Sequence, residues 1–309
     1  MLANFFGKSK PINFIVITIL FFFLFLFTIF SSFFIDGFTV DALLKSGGFL
    51  ILFLTMFFFY NFIVSKNALT FDNTYAFFIF TLFLIFFLPT FSLYKELYLF
   101  ILHLLFLRKT YSLKSNKEVL KKLFDSGFWL GISFIISPFS IVFFILIYVA
   151  IFYHQKITIH TLLVPIIGFI VPLILFFTYC FWYDKTVVFT TLFDFNIGNN
   201  ITFYTKNSAI WLMSLLFLLT LASLFLKSPK TFSVNNSFKK NWILLIINTL
   251  VAVSFIYLIE GKNGSELIFL LFPTSIIIAN GIEIIEHNLI KNIILTTLLI
   301  GAILAPFIL

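Results

Sequence analysis

Polar residues interrupt this chain rarely and at wide intervals, and the stretches between them are apolar without alternation. A bilayer's hydrocarbon is about 30 Å thick, or about 20 helical residues. On that scale the apolar runs predict membrane segments at 11–34, 49–64, 74–92, 93–107, 127–153, 162–182, 209–226, 242–259, 267–280 and 293–309. Lipid offers backbone groups no partner, so continuous rather than period-two hydrophobicity predicts helices and not an outer-membrane barrel. The expected fold class is all-α, a polytopic transmembrane helix bundle forming a single integral membrane domain over residues 1–309.

The stretch 127–153, GFWLGISFIISPFSIVFFILIYVAIFY, decides the number of crossings. As one helix it would reach about 40 Å, too long for an untilted span. Pro138 lacks a backbone donor and disfavours helical geometry at Ser137, which predicts two short helices, 127–137 and 139–153, joined as a hairpin. The alternative is one kinked, tilted helix. Charge favours the hairpin. The connections RKTYSLKSNKEVLKKLFD and KSPKTFSVNNSFKKN are strongly basic, and both belong in the cytoplasm by the positive-inside rule, so an even number of crossings must separate them. Breaking the stretch supplies the missing crossing. About 11 membrane segments result, with the N-terminus inside, and the 20 lysines and arginines divide into fifteen cytoplasmic and five external.

Composition agrees. The chain is 61% hydrophobic and 10% charged with mean hydropathy +1.14, against about 25% charged in a soluble globule. A multi-pass protein of a bacterial cell inner membrane is expected. Lys8 and Lys10 precede an apolar run longer than the core of a signal peptide, which predicts an uncleaved first span. The 51 phenylalanines need no ligand to explain them, because Phe, Leu and Ile are near-equivalent in lipid. The single Cys180 excludes an intramolecular disulfide.

Candidate chemistry is sparse. Seven carboxylates fall outside in this topology: Asp36, Asp41, Glu96, Asp184, Asp194, Glu260 and Glu266. The first external loop, IDGFTVDALLKSGG, sets Asp36 and Asp41 close to the end of the first span. Acids there are placed to act as a general base toward a hydroxyl or to hold a divalent cation against a phosphate; an ordinary solvated loop is the competing reading. Gly127 and Gly131 have the small-xxx-small spacing of close helix packing. Pro165, Gly168 and Pro172 predict a helix with local breaks inside the bundle. Glu283, His287 and Lys291 fall four apart, as on a solvated, salt-bridged helix face. The four histidines share no metal-ligand spacing, and there is no phosphate-binding glycine loop, nucleophile elbow or zincin motif. Membrane lipids are expected partners, and nucleic acid is not indicated.

The segments SKNALTFDNTYAFFIF, LRKTYSLKSNKEVLKKLFDSGFWLGISFIISP and LLVPIIGFIVPLILFFTY resemble an uncharacterised polytopic inner-membrane family, a domain of unknown function, of gliding, AT-rich bacteria. More faintly, the order of parts is similar to GT-C-fold glycosyltransferases, which take sugars from polyprenyl-phosphate carriers. That resemblance implies Asp36 or Asp41 as the acid, Gly127 to Pro138 as the broken hairpin, and Lys95 or Lys185 near the carrier phosphate. The chain departs from the pattern in having no external arginine. Three functions stay open: a GT-C-like transferase, a non-catalytic membrane subunit or assembly factor of a cell-envelope complex with a protein partner, and a transporter or flippase.

Overall fold

The computed structural model describes residues 1–32, 39–88, 94–196, 198, 204, 209–233 and 237–308. All regular structure among them is helical. In chain order the helices are α1 (Leu2–Phe6), α2 (Pro11–Ser32), α3 (Val40–Lys66), α4 (Tyr75–Phe86), α5 (Tyr94–Tyr111), α6 (Val119–Ile136), α7 (Phe144–Tyr153, preceded by a 3-10 turn at Pro138–Phe143), α8 (Ile159–Trp182), α9 (Thr186–Thr190), α10 (Ala209–Phe232), α11 (Ser237–Leu258), α12 (Ile268–Ile284) and α13 (Asn288–Ile308). Seven of them, α2, α3, α8, α10, α11, α12 and α13, are long and apolar enough to cross a membrane; the stretches Tyr75–Phe86 and Pro138–Tyr153 are apolar but shorter. The chain divides into two compact units, one of Met1–Tyr94, Thr202–Asn235 and Asn263–Leu309, the other of Lys95–Ile201 and Asn236–Lys262.

In the first unit α4 and α12 form the core. Every residue of α4 is buried, as is nearly all of α12. Neither helix has a polar stripe, and a helix that is apolar all round must be covered all round. α12 packs on α4 and α10, and α13 packs on α4. Tyr60 of α3 stacks on Phe80 with ring centroids 4.1 Å apart, and its hydroxyl lies 2.7 Å from the Ser275 hydroxyl. A Cβ on Gly281 of α12 would stand 2.5 Å from Cβ of Ser223, so glycine sets the α10–α12 approach. At one end of this unit the connection 67–74 gathers the chain. Asn280 donates to the Leu69 carbonyl at 2.9 Å, and Asn13 donates to the Phe5 and Lys8 carbonyls and to Thr74. The Tyr75 hydroxyl donates to the Ala3 carbonyl, and Asn292 accepts from the N-terminal amine and the Ala3 amide. Five-residue α1 is therefore fastened by side chains distant in sequence.

In the second unit the most extensive contact is between α6 and α8. α6 ends at Ile136 because Ser137 is extended (φ −144°, ψ 106°) ahead of Pro138, as the proline's sterics require. The chain then reverses. The Lys156 ammonium, just beyond α7, donates to the Asn116 side chain, just before α6, and Phe134 and Phe144 both touch Phe169 of α8. The hairpin at Pro138 is thus present, but its first helix starts at Val119 rather than near 127. The charged turn VLKKLFD can be helical because its polar groups have partners: Lys122 donates to the Ser112 carbonyl at 2.8 Å, and Asp125 pairs with Lys109 at 2.5 Å. Cysteines replacing Asn116 and Lys156 in a Cys180→Ser background should be joined in high yield by a short bis-maleimide. A continuous helix through 127–153 would leave them unlinked.

α8 corrects the expectation of local breaks. It is one continuous helix with Pro165 and Pro172 inside it. Its start is a capping box: the Thr158 hydroxyl accepts from the Thr161 amide at 3.2 Å while the Thr161 hydroxyl accepts from the Thr158 amide at 2.9 Å. Pro165, Gly168, Phe169 and Pro172 form its buried face, whereas Leu163, Ile167, Ile170, Ile174 and Leu175 are exposed, as suits a helix facing lipid on that side. At its far end Trp182, Tyr183, Val187 and Val188 are exposed around the short α9, an amphipathic rim of the kind found at bilayer surfaces.

Candidate functional site

Of the sequence-derived site residues, Asp36 lies outside the described residues. Asp41 is not in a loop. It occupies the first turn of α3, capped by Thr39, whose hydroxyl accepts from the Ala42 amide at 3.2 Å, so the helix extends well ahead of residue 49. A carboxylate in that turn complements the helix dipole. Tyr94 steadies this end of α3, stacking on Phe49 with centroids 4.1 Å apart and donating to the Lys45 carbonyl at 2.6 Å. Asp41 is exposed; so are Lys95, in the first turn of α5, and Lys185, ahead of α9. None of these three side chains enters a hydrogen bond or ion pair among the described residues. Asp41 belongs to the first unit, Lys95 and Lys185 to the second.

Two other carboxylates, both in the first unit, are more deeply set. Glu266 is 2% exposed. It sits in the 3-10 turn Ser265–Leu267 that opens α12, after Gly264 at φ 90°, and it accepts a short hydrogen bond from the Tyr204 hydroxyl and a longer one, 3.4 Å, from the Asn263 amide. Burial, then the adjacent carboxylate, pushes the Tyr204 hydroxyl well above its ordinary pKa, which keeps it a donor. In the sequence Glu266 reads only as one of seven external acids. The available signal was the run LIFLLFPTSIII that follows it: an acid at the mouth of a helix with no polar face is drawn in with that helix.

Glu283, at the opposite end of α12, corrects the expectation of a solvated face shared with His287 and Lys291. One carboxylate oxygen accepts from the Phe71 amide at 3.1 Å and from Asn73 at 2.5 Å; the other pairs with Lys227 of α10 at 3.3 Å, both side chains being under a tenth exposed. The Lys227 ammonium also lies 4.7 Å from the centre of the Phe71 ring. α12 ends at Ile284 and α13 starts at Asn288, so the three residues expected on one face do not share a helix.

The second unit secures part of the connection after α9. The Lys262 ammonium donates to the Gly198 carbonyl, and a Cβ on Gly198 would stand 2.9 Å from Cα of Glu260. Among the described residues no three His, Cys, Asp or Glu side chains are grouped to hold a metal ion.

No curated protein and no solved structure matches the chain. The family of unknown function DUF6427 matches it over residues 5–308, and the chain belongs to that family.

Proposed function

We propose that this is a multi-pass protein of the bacterial inner membrane, with about eleven membrane segments and its N-terminus in the cytoplasm, that serves as a membrane-embedded subunit or assembly factor of a cell-envelope complex. The observation that carries the reading is how two buried carboxylate groups, those of Glu266 and Glu283, are used. Glu283 spends both oxygens on the Phe71 amide, Asn73 and Lys227, and Glu266 spends both on Tyr204 and the Asn263 amide. These groups tie helix ends together instead of facing a substrate. The segment count is supported by the reversal at Pro138, which restores an even number of crossings between the two basic connections.

A second reading is favoured by Asp41, whose exposed carboxylate in the first turn of α3 enters no hydrogen bond or ion pair among the described residues. It is a GT-C-like transferase working on polyprenyl-phosphate-linked sugars at the outer face. Glu266, with Asp36 or Asp41, would supply the acid or hold a divalent cation, and Lys95 or Lys185 would meet the phosphate. Its buried Tyr–Glu pair would have to open to an acceptor. Cells carrying Asp36→Asn, Asp41→Asn or Glu266→Gln at wild-type protein levels separate the two. Unchanged surface glycans and unchanged polyprenyl-linked intermediates, together with stable copurification of one partner, are expected for the subunit. Accumulation of lipid-linked sugar in any of the three variants would favour the transferase and defeat the subunit reading.

A further inference from the structure

We propose that the exposed lysines Lys114 and Lys117 and the exposed apolar side chains of Leu120, Ile157 and Ile159, all in the second unit, form one docking surface for anionic phospholipid at the edge of the bilayer. These residues come from two connections that the fold places side by side. The Lys156 ammonium, in the turn after α7, donates to the Asn116 side chain, in the connection before α6. The helices that follow the two connections run parallel: Gly127 of α6 lies against Pro165 of α8, and Gly131, about one turn on, lies against Pro172. The first turns of α6 and α8 therefore stand at the same end of the unit.

The level of that end is set by α8. Ile159, Leu163, Ile167, Ile170 and Ile174 form a stripe of exposed apolar side chains that begins in its first turn. A membrane-crossing chain meets hydrocarbon along such a stripe, so hydrocarbon reaches Ile159 and the headgroups begin at the turn before it. Charge at that level is one-sided. Residues 108–125 carry six cations against two acids, and both acids are engaged, Asp125 with Lys109 and Glu118 with Lys121. Lys122 is turned inward, where its ammonium donates to the Ser112 carbonyl at 2.8 Å and to the Ser115 carbonyl at 3.3 Å, fixing the turn that carries Lys114. Lys114 and Lys117 point to no such partner: neither enters a hydrogen bond or ion pair among the described residues. Apolar side chains at the acyl boundary with ammonium groups just outside them combine apolar insertion with attraction for anionic headgroups. A soluble acidic protein would match the lysines alone, whereas Ile157 and Ile159 continue the lipid-facing stripe. The surface requires only that the chain lie in a membrane, and it holds for the subunit and the transferase alike.

A bimane fluorophore on Ile157→Cys, in full-length protein with Cys180→Ser, reports the lipid beside it through quenching by brominated acyl chains. Nanodiscs hold phosphatidylcholine and phosphatidylglycerol in equal parts, with one or the other brominated. Quenching should be stronger when phosphatidylglycerol carries the bromine. Lys114→Gln and Lys117→Gln should each lower that preference, by up to about fivefold for one lysine near an anionic surface, and Lys117→Arg should keep it. High salt should weaken it, because the lysines are exposed. A fluorophore on Val187→Cys, exposed beyond the other end of α8 and preceded by the opposite charges of Asp184 and Lys185, should be quenched equally by the two lipids. Equal quenching at position 157, a preference as large at position 187, or a preference that both glutamine variants leave intact overturns the surface. So does a fluorophore at position 157 that neither lipid quenches, which places that turn in water and leaves its lysines to a soluble acidic protein.

Discussion

Gly127→Ala and Gly168→Ala should each cost about 3 kcal/mol or more of stability, although each adds only one methyl group. A Cβ on Gly127 would lie 2.9 Å from the Pro165 carbonyl carbon, and one on Gly168 would lie 3.0 Å from the Phe124 carbonyl carbon. On the same seam a Cβ on Gly131 would lie 2.6 Å from Cγ of Pro172. Backbone meets backbone here, so no side chain can swing aside to make room. In lipid no hydrophobic force draws two helices together, and a small-residue seam works through van der Waals contact that falls away within an ångström of separation. Gly47→Ala is the control. It lies in helix α3 with nothing within 4 Å of its missing Cβ, so alanine should be neutral or add up to about 1 kcal/mol through helix propensity. Reversible unfolding of the purified protein in mixed micelles measures all three. Equal stability of Gly127→Ala and Gly47→Ala would mean that α6 and α8 do not meet through these backbones.

That seam was half legible beforehand. The spacing of Gly127 and Gly131 announces a close approach, and Pro165, Gly168 and Pro172, at i, i+3 and i+7, announce a face of their own; nothing in either run names the other as its partner. Pro138 was fully legible, because a proline's missing donor and its effect on the residue before it are local properties. Helix ends were less so. α3 starts at Val40 and α6 at Val119, each ahead of its apolar run, because a Thr39 cap in one case and the Lys122 and Asp125 contacts in the other let polar residues continue a helix. The buried acids were least legible. Hydropathy measures a residue against its sequence neighbours, while the fate of Glu266 and Glu283 is set by Tyr204 and Lys227, dozens of positions away.

The Lys227–Glu283 pair yields a prediction whose order matters more than its size. Lys227→Met leaves a carboxylate buried with only the Phe71 amide and Asn73 as donors, and Glu283→Gln leaves a buried ammonium facing an amide; each should cost about 3–5 kcal/mol, the usual result of removing one partner from a buried ion pair. Combining Lys227→Met with Glu283→Gln should give a protein more stable than either single variant. Both charges are then gone, yet the glutamine carbonyl still accepts from Phe71 and Asn73. Lys227→Met with Glu283→Leu should recover less, because the Phe71 amide and the part-buried Asn73 side chain then lose their acceptor, at about 1 kcal/mol for each hydrogen bond lost. The four variants, unfolded under one set of conditions, distinguish a charge pair that holds α10 to α12 from a carboxylate whose main task is to accept from the 67–74 connection. If Lys227→Met is silent while the double variant with Glu283→Leu is severe, the carboxylate anchors that connection and the lysine merely accompanies it; if the double variant with glutamine recovers above both singles, the two charges act as a pair between the helices, whereas losses that simply add would overturn that coupling.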